Sequence, residues 1–302
     1  MKQRFIFWVE NYFYDPSVFE RLLSYFLLPF SALYCFVVYI KYKVTTPENM
    51  GIKVISVGNL TVGGSGKTPL VTAMAKEYDN VAVVLRGYGR KSSGLVVVKE
   101  GGKILCDVQT SGDEAMLYAK KLKNGVVIVS EDRKAGIKKA KELGASLVFL
   151  DDGYSKHGIE KLDFLIDVKT PNRFCLPSGP YREKLWAGKK AWILKEGKDF
   201  HRKVVLKNPT QKMVLVTAIA RPHRLDPYLP KEVKERYYFE DHHDFSKEEI
   251  AEIFKKHRPD SLLVTCKDYV KLEKFGFPLS ILDLDVHAEA WIFEKIEAYR
   301  LH

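Results

Sequence analysis

Cysteine is scarce in this chain and never closely spaced: the four residues, Cys35, Cys106, Cys175 and Cys266, form no CxxC pair. Neither a zinc site nor a disulfide scaffold is therefore expected, and a reducing, cytoplasmic setting fits the pattern. Acidic residues are also in deficit, 38 against 49 Lys and Arg, which leaves a formal charge of +11. That balance predicts attraction to anions, with nucleic acid, anionic lipid and phosphorylated substrates all eligible. Zinc-finger spacing, an RNP-like aromatic motif and a concentrated basic helix are all missing, so no specific nucleic-acid partner is expected. No internal repeat or low-complexity tract interrupts the 302 residues, and 46% hydrophobic content excludes a wholly disordered polymer. The length accommodates two compact α/β units or one large one.

Charge is absent altogether from Leu22 to Ile40. The run approaches the ~20 residues needed to span hydrocarbon, but Pro29 interrupts it, and Ser24, Ser31, Tyr25, Tyr34 and Tyr39 make it less apolar than a spanning helix. Aromatics of this kind favour the headgroup region. Upstream, Phe5, Ile6, Phe7, Trp8, Val9, Tyr12, Phe13 and Tyr14 form a second aromatic cluster. Two short helices lying in one leaflet are predicted in preference to a full span, with a buried hairpin capping a soluble core as the alternative. A cleaved signal peptide is not expected, because the apolar run begins late and no small-residue cleavage site follows it. Lys41, Lys43 and Lys53 follow the run and place the remaining chain on the cytoplasmic side of the membrane surface.

Beyond the linker Thr45-Thr46-Pro47, apolar runs at Val54 to Val57, Val81 to Leu85, Val126 to Val129, Leu147 to Leu150 and Phe164 to Val168 read as buried strands. Asp113 to Leu122 and Arg133 to Leu143 have helical composition between them, which predicts a mainly parallel sheet with helices on both faces. Trp186 to Asn208 is irregular and lysine-rich. A second series begins with a strand at Met213 to Thr217, continues with a helix opened by the capping spacing Ser246-Lys247-Glu248-Glu249, and adds a strand at Ser261 to Thr265. A final helix is expected from about His287 to Leu301, against either unit.

The first strand runs into Gly58-Asn59-Leu60-Thr61-Val62-Gly63-Gly64-Ser65-Gly66-Lys67-Thr68, followed by helix-forming residues. Glycines let backbone N–H groups turn inward around phosphate oxygens, and the helix amino terminus adds partial positive charge. Thr61, Gly63, Gly64, Ser65, Gly66, Lys67 and Thr68 are thus the candidate nucleotide-binding set. Lys67 would reach the β- and γ-phosphates, Thr68 would offer its hydroxyl to Mg²⁺, and Pro69 suits the first helical turn. The loop departs from consensus at Thr61, where glycine is usual. Leu147 to Leu150 ends in Asp151-Asp152-Gly153, the form of a strand whose terminal acids hold Mg²⁺ beside such a loop. The predicted fold is α/β, P-loop NTPase-like and mainly parallel, with a second, smaller α/β domain and an N-terminal membrane-associated helical segment. Its divisions fall at 1–45, 46–205 and 206–302.

In the order they carry, these blocks resemble the tetraacyldisaccharide 4′-kinases of lipid A biosynthesis. The resemblance rests on the phosphate loop with its Thr61, on Arg86-Gly87-Tyr88-Gly89-Arg90, Gly112-Asp113-Glu114, Glu131-Asp132-Arg133 and Asp151-Asp152-Gly153-Tyr154. It continues through Leu176-Pro177-Ser178-Gly179-Pro180-Tyr181-Arg182-Glu183, Asp241-His242-His243-Asp244-Phe245 and Thr265-Cys266-Lys267-Asp268. The chain departs from the family where Phe-Gln-His usually follows Asp-Asp-Gly, carrying Tyr154-Ser155-Lys156-His157 instead, and at Ala115 where proline is usual.

The resemblance implies transfer of the ATP γ-phosphoryl group to the distal glucosamine hydroxyl of a tetra-acylated disaccharide 1-phosphate, giving lipid IVA, at the cytoplasmic face of the inner membrane. It points to Asp113 and His242 for proton removal, with Lys67, Asp151 and Asp152 as further catalytic residues. Arg86, Arg133, Arg182, Glu183 and Arg221 are candidates for phosphate or substrate contacts, with Tyr88 and His223 ranked below them. No protein partner is evident. The competing class is a P-loop GTPase or metallochaperone, suggested by Thr265-Cys266-Lys267-Asp268, although its lysine stands one place too late for the guanine-reading element.

Overall fold

A computed structural model describes residues 2–63, 65–219 and 222–301, without the side chains of residues 2–4 and 6. Its larger sheet contains β1 (Lys53–Gly58), β2 (Val81–Leu85), β3 (Val96–Glu100), β4 (Lys103–Ile104), β5 (Val126–Val129), β6 (Leu147–Asp151), β7 (Leu162–Ile166) and β8 (Trp192–Leu194), in the order β4-β3-β5-β2-β6-β1-β7-β8. All neighbours are parallel except around β3, which runs antiparallel to β4 and β5. The central strands are continuous apolar runs because both faces are covered. Side chains of alternate residues point to opposite faces. Ile55, Val57, Val83, Leu85 and Phe149 face one core, and Val54, Ala82, Val84, Val148 and Leu150 face the other.

The smaller sheet contains β9 (Phe200–Lys207), β10 (Met213–Thr217), β11 (Val233–Tyr238), β12 (Ser261–Thr265) and β13 (Leu279–Ala288), in the order β11-β10-β12-β13-β9. Only β9 and β13 are antiparallel, paired from Lys207 opposite Ile281 to Phe200 opposite Ala288. Two expectations are corrected at this ribbon. The lysine-rich stretch read as irregular contains β8 and β9, because one face of β9 is solvent-exposed and tolerates the lysines that mask its alternation. The last helix starts at Ala290, since His287 is still paired with His201 in the ladder.

The helices are α1 (Lys2–Tyr14), α2 (Val18–Phe26), α3 (Leu28–Val44), α4 (Lys67–Ala75), α5 (Val108–Ser111), α6 (Asp113–Lys121), α7 (Arg133–Glu142), α8 (Lys247–His257), α9 (Cys266–Leu272) and α10 (Ala290–Leu301). Helices α4, α6 and α10 cover one face of the larger sheet and α7 the other, with Ile292 and Ile296 of α10 fully buried there.

The uncharged amino-terminal run is split. Ser17 caps α2 reciprocally with Glu20, while Pro29 lies in the first turn of α3, where its missing N–H costs nothing. The two helices meet at 58°, and no single helix among the described residues is long and apolar enough to cross a membrane. Their polarity is reversed relative to an ordinary surface helix. Ser24 donates to the Ser178 carbonyl at 2.5 Å, Ser31 donates to Cys175 O at 2.9 Å with its Oγ 2.7 Å from Ser178 Oγ, and Tyr34 donates to Arg182 O at 3.1 Å. Outward, Val18, Phe19, Leu22, Phe26, Phe30, Leu33, Phe36 and Val37 are 59–75% exposed. Cys35 is joined to Cys175 in a disulfide, where the cysteine pattern gave no expectation of one; a sequence separation of 140 hides the pairing.

Candidate active site

Strand register builds the centre of the site. Val57, at the end of β1, lies opposite Asp151 at the end of β6, so the phosphate loop and the acids emerge side by side. Gly66 caps α4 at φ 72°, a left-handed conformation in which a side chain would be strained. Helix α4 then begins with Lys67 and Thr68. Lys67 Nζ donates to Asn59 Oδ1 at 3.0 Å and lies 3.6 Å from Asp152 Oδ1. Asn59 also holds the loop, donating to Thr61 O and Oγ1, both at 3.0 Å. Two outside elements touch it as well: Tyr14 donates to Val62 O, and Arg202 of β9 donates to Ser65 O at 2.7 Å. Gly63 is in the left-handed region at φ 86°, while Gly64 lies outside the described residues.

The paired acids differ in environment. Asp151 is buried, and one oxygen, Oδ2, accepts from Thr68 Oγ1 at 3.1 Å and Tyr118 OH at 2.8 Å. Its other oxygen, Oδ1, is buried without a hydrogen-bond partner among the described residues. Burial raises the Asp151 carboxyl pKa against the opposing pull of Lys67. An orphaned carboxylate oxygen beside the helix-start hydroxyl is a donor set that fits a hard divalent cation. Asp152, at φ 57°, is held in a sparsely populated backbone region of the kind that clusters at functional sites. Burial would raise its pKa too, but Lys67 and Arg182 outweigh it and the net shift is downward. Arg182 reaches Asp152 Oδ1 at 2.5 Å and Asn59 Oδ1 at 3.1 Å.

Helix α6 carries the second half of the site. Tyr118 touches Asp151, and Asp113 at the helix start meets His242, with Oδ1 and Nδ1 3.0 Å apart. His242 is itself left-handed at φ 64° and packs against the Tyr88 ring, centroids 5.0 Å apart. Lys267 Nζ lies 3.2 Å from His242 Nε2, 3.1 Å from Asp241 Oδ1 and 3.7 Å from Asp113 Oδ2, and Lys271 is also 3.7 Å from that oxygen. Burial pushes the Asp113 carboxyl up, but His242, Lys267 and Lys271 more than compensate, bringing it down to about 2. Ionised Asp113 can only accept and an ammonium can only donate. A neutral His242 therefore carries its proton on Nδ1 and leaves the Nε2 lone pair toward Lys267.

The remaining candidates separate. Arg133, the first residue of α7, is buried, donates from Nη1 to Ser130 O and feels the charges of Asp151 and Asp152. Arg86 is exposed at the end of β2. Glu183 is committed elsewhere: its carboxylate meets His157 Nε2 at 3.1 Å and Trp186 Nε1 at 2.8 Å. His223 bonds Asp226 on the smaller unit, and Arg221 lies outside the described residues. Lys267, Asn59, Tyr118 and Arg202 were not anticipated. Lys267 stands inside Thr265-Cys266-Lys267-Asp268, a block of the family resemblance that by itself suggests only a guanine-reading element. That role is disfavoured, because Asp268 is fully buried and accepts from Thr265 and Thr217, each at 2.7 Å.

Comparison with known proteins bears on the whole chain. A family model described as Tetraacyldisaccharide-1-P 4'-kinase matches residues 23–205 and 194–298. A tetraacyldisaccharide 4'-kinase of Aliarcobacter butzleri is 44% identical over 99% of this chain and 98% of its own length. Its counterpart in Helicobacter pylori strain HPAG1 is 47% identical over 97% of this chain and 95% of its own length. The crystal structure of the "apo" form of LpxK from Aquifex aeolicus, in complex with ATP, superposes with a TM-score of 0.71 at 27% identity, covering 92% of this chain and 99% of the other. With a family match across both sheets and near full-length relatives above 40% identity, the chain belongs to the tetraacyldisaccharide 4'-kinase family.

Proposed function

We propose that the chain transfers the γ-phosphoryl group of ATP to the distal glucosamine hydroxyl of a tetraacyldisaccharide 1-phosphate, yielding lipid IVA at a membrane surface. The observation that carries the reading is convergence on α6: one helix joins the Asp113–His242 pair to Asp151, and Asp151 to the phosphate-loop threonine. The loop amides and Lys67 receive the triphosphate. Thr68 and Asp151 are the residues that would hold Mg²⁺, with Asp152 nearby, and an ion bound there would supply charge neutralisation to the triphosphate.

His242 Nε2 takes the proton of the attacking hydroxyl, which displaces Lys267 from that lone pair. Asp113 holds the ring through Nδ1 and stabilises the imidazolium, its carboxylate kept in the charged form by His242, Lys267 and Lys271. Lys267, moved off the ring, remains beside Asp113 and Asp241 and limits the charge that accumulates there. Arg182 and Arg133 supply further positive charge around the transferred group.

The membrane role rests on the reversed polarity of α2 and α3. Serines bind the protein, and a broad apolar face points outward, uncovered among the described residues, as expected of helices lying in one leaflet. Acyl chains then remain in lipid while the head group enters the site. The test is label transfer from γ-labelled ATP to the disaccharide 1-phosphate in mixed micelles. Magnesium-dependent labelling is expected; ATP hydrolysis without lipid labelling would defeat the reading.

A further inference from the structure

Two carbonyls of the phosphate loop are held from outside it: Tyr14 of α1 donates to Val62 O, and Arg202 of β9 donates to Ser65 O. The second contact reaches across from the smaller sheet, where Arg202 lies opposite Val286 of β13. Its guanidinium is fixed on three sides. Nη2 donates to Ser65 O at 2.7 Å, Nη1 donates to Glu196 Oε2 at 3.0 Å, and the group lies over the Phe200 ring, 5.3 Å from the centroid. It presses on the start of α4 so closely that a Cβ at Gly66 would collide with Nη2. Its Nε–H is buried without an acceptor among the described residues, a costly state for a charged donor. A methionine of similar length would fill the space without that cost, so packing alone does not call for arginine at this position.

What the contact controls is the direction of one peptide group. In a planar trans peptide the C=O and the following N–H point to opposite sides. Drawing Ser65 O toward Arg202 therefore turns the Gly66 N–H away from it, while Ser65 Oγ accepts from Lys67 Nζ at 3.4 Å. A phosphate cradle needs its amides turned inward and hence its carbonyls turned outward. Gly66 cannot hold that direction by itself, because a residue without a Cβ populates both signs of φ about as readily. We propose that Arg202 is a positioning residue for nucleotide binding: from the smaller sheet it fixes the Ser65–Gly66 peptide so that the Gly66 N–H meets the α- or β-phosphate. This rests on the nucleotide-binding part of the kinase reading and deepens it. The cradle is then complete only with β9 docked against it, which ties nucleotide affinity to the placement of the smaller unit.

Arg202→Met in the full-length chain tests the proposal. Arg202→Lys keeps a donor, and Lys203→Gln controls for loss of charge at an exposed position of the same strand. Calorimetric titration with Mg-ATP and with Mg-ADP, no lipid present, should give Arg202→Met a dissociation constant raised about tenfold for both nucleotides, since the α- and β-phosphates are common to the two. Arg202→Lys should recover most of that loss, and Lys203→Gln should match the wild type. In the micellar kinase assay the KM for ATP should rise by the same factor while the KM for lipid stays unchanged, and the melting temperature of nucleotide-free Arg202→Met should not fall. A merely structural arginine would move those last two readings, and that result overturns the proposal. So does wild-type affinity for both nucleotides in Arg202→Met, an equal loss in Lys203→Gln, or a loss confined to ATP, which would put Arg202 on the γ-phosphate itself. A wild type that binds both nucleotides but labels no lipid defeats the kinase reading instead, and the titrations still decide Arg202.

Discussion

Alanine at position 113 removes the acceptor of the His242 Nδ1 proton and leaves Lys267 and Lys271 facing each other without their shared carboxylate. Asp113→Ala should therefore lower kcat by roughly 10²- to 10⁴-fold while ATP affinity changes little. Equal losses in both would assign Asp113 to the nucleotide or to the fold. Because the pair acts as a unit, Asp113→Ala combined with His242→Ala should be no slower than the worse single variant. Titration adds a readout independent of activity. The folded Asp113 carboxyl is lowered to about 2 from an unfolded value near ~3.9, so its stabilising contribution is complete above about pH 4 and fades as pH falls toward 2. Thermal melts of Asp113→Asn should accordingly depend less on pH across that interval than those of the wild type.

At the scale of elements, the inward serines of α2 and α3 and their outward aromatics make separable predictions. Ser31→Ala strands the buried Ser178 N–H, which donates to Ser31 Oγ at 2.8 Å, and removes two further hydrogen bonds. A loss of about 1–3 kcal/mol of stability is expected in denaturant melts. Leu33→Glu with Phe36→Glu changes two exposed positions instead. Vesicle binding should fall steeply while the melting temperature shifts little, and unchanged vesicle binding would place the lipid contact elsewhere.

The same contrast explains what the sequence made legible. Strand, phosphate loop and helix declared themselves because glycine, lysine and threonine must be contiguous to wrap a phosphate. The apolar run of α2 and α3 was equally visible, yet the carbonyls that receive its serines lie 144 or more residues away, and the disulfide spans 140. Asp113 and His242 are 129 residues apart and became a pair only through the family resemblance. Lys267 carried no local signature of its role, since a lysine one helical step into α9 reads as surface charge until three-dimensional structure sets it against three acids.

On the scale of the whole molecule, the chain leaves the larger sheet along β9, builds the smaller one and returns along β13, the partner of β9, to place α10 on the core it left. The smaller sheet is thus an excursion inserted near the end of the larger unit, sewn on by a two-stranded seam. A conventional C-terminal truncation cannot isolate the nucleotide-binding half. Stopping anywhere before Ala290 deletes Ile292 and Ile296, both fully buried, and uncovers the apolar surface beneath them. Such fragments should aggregate, whereas looping out the excursion while keeping the last helix preserves that cover. Anyone dividing this chain for study has to cut inside it twice.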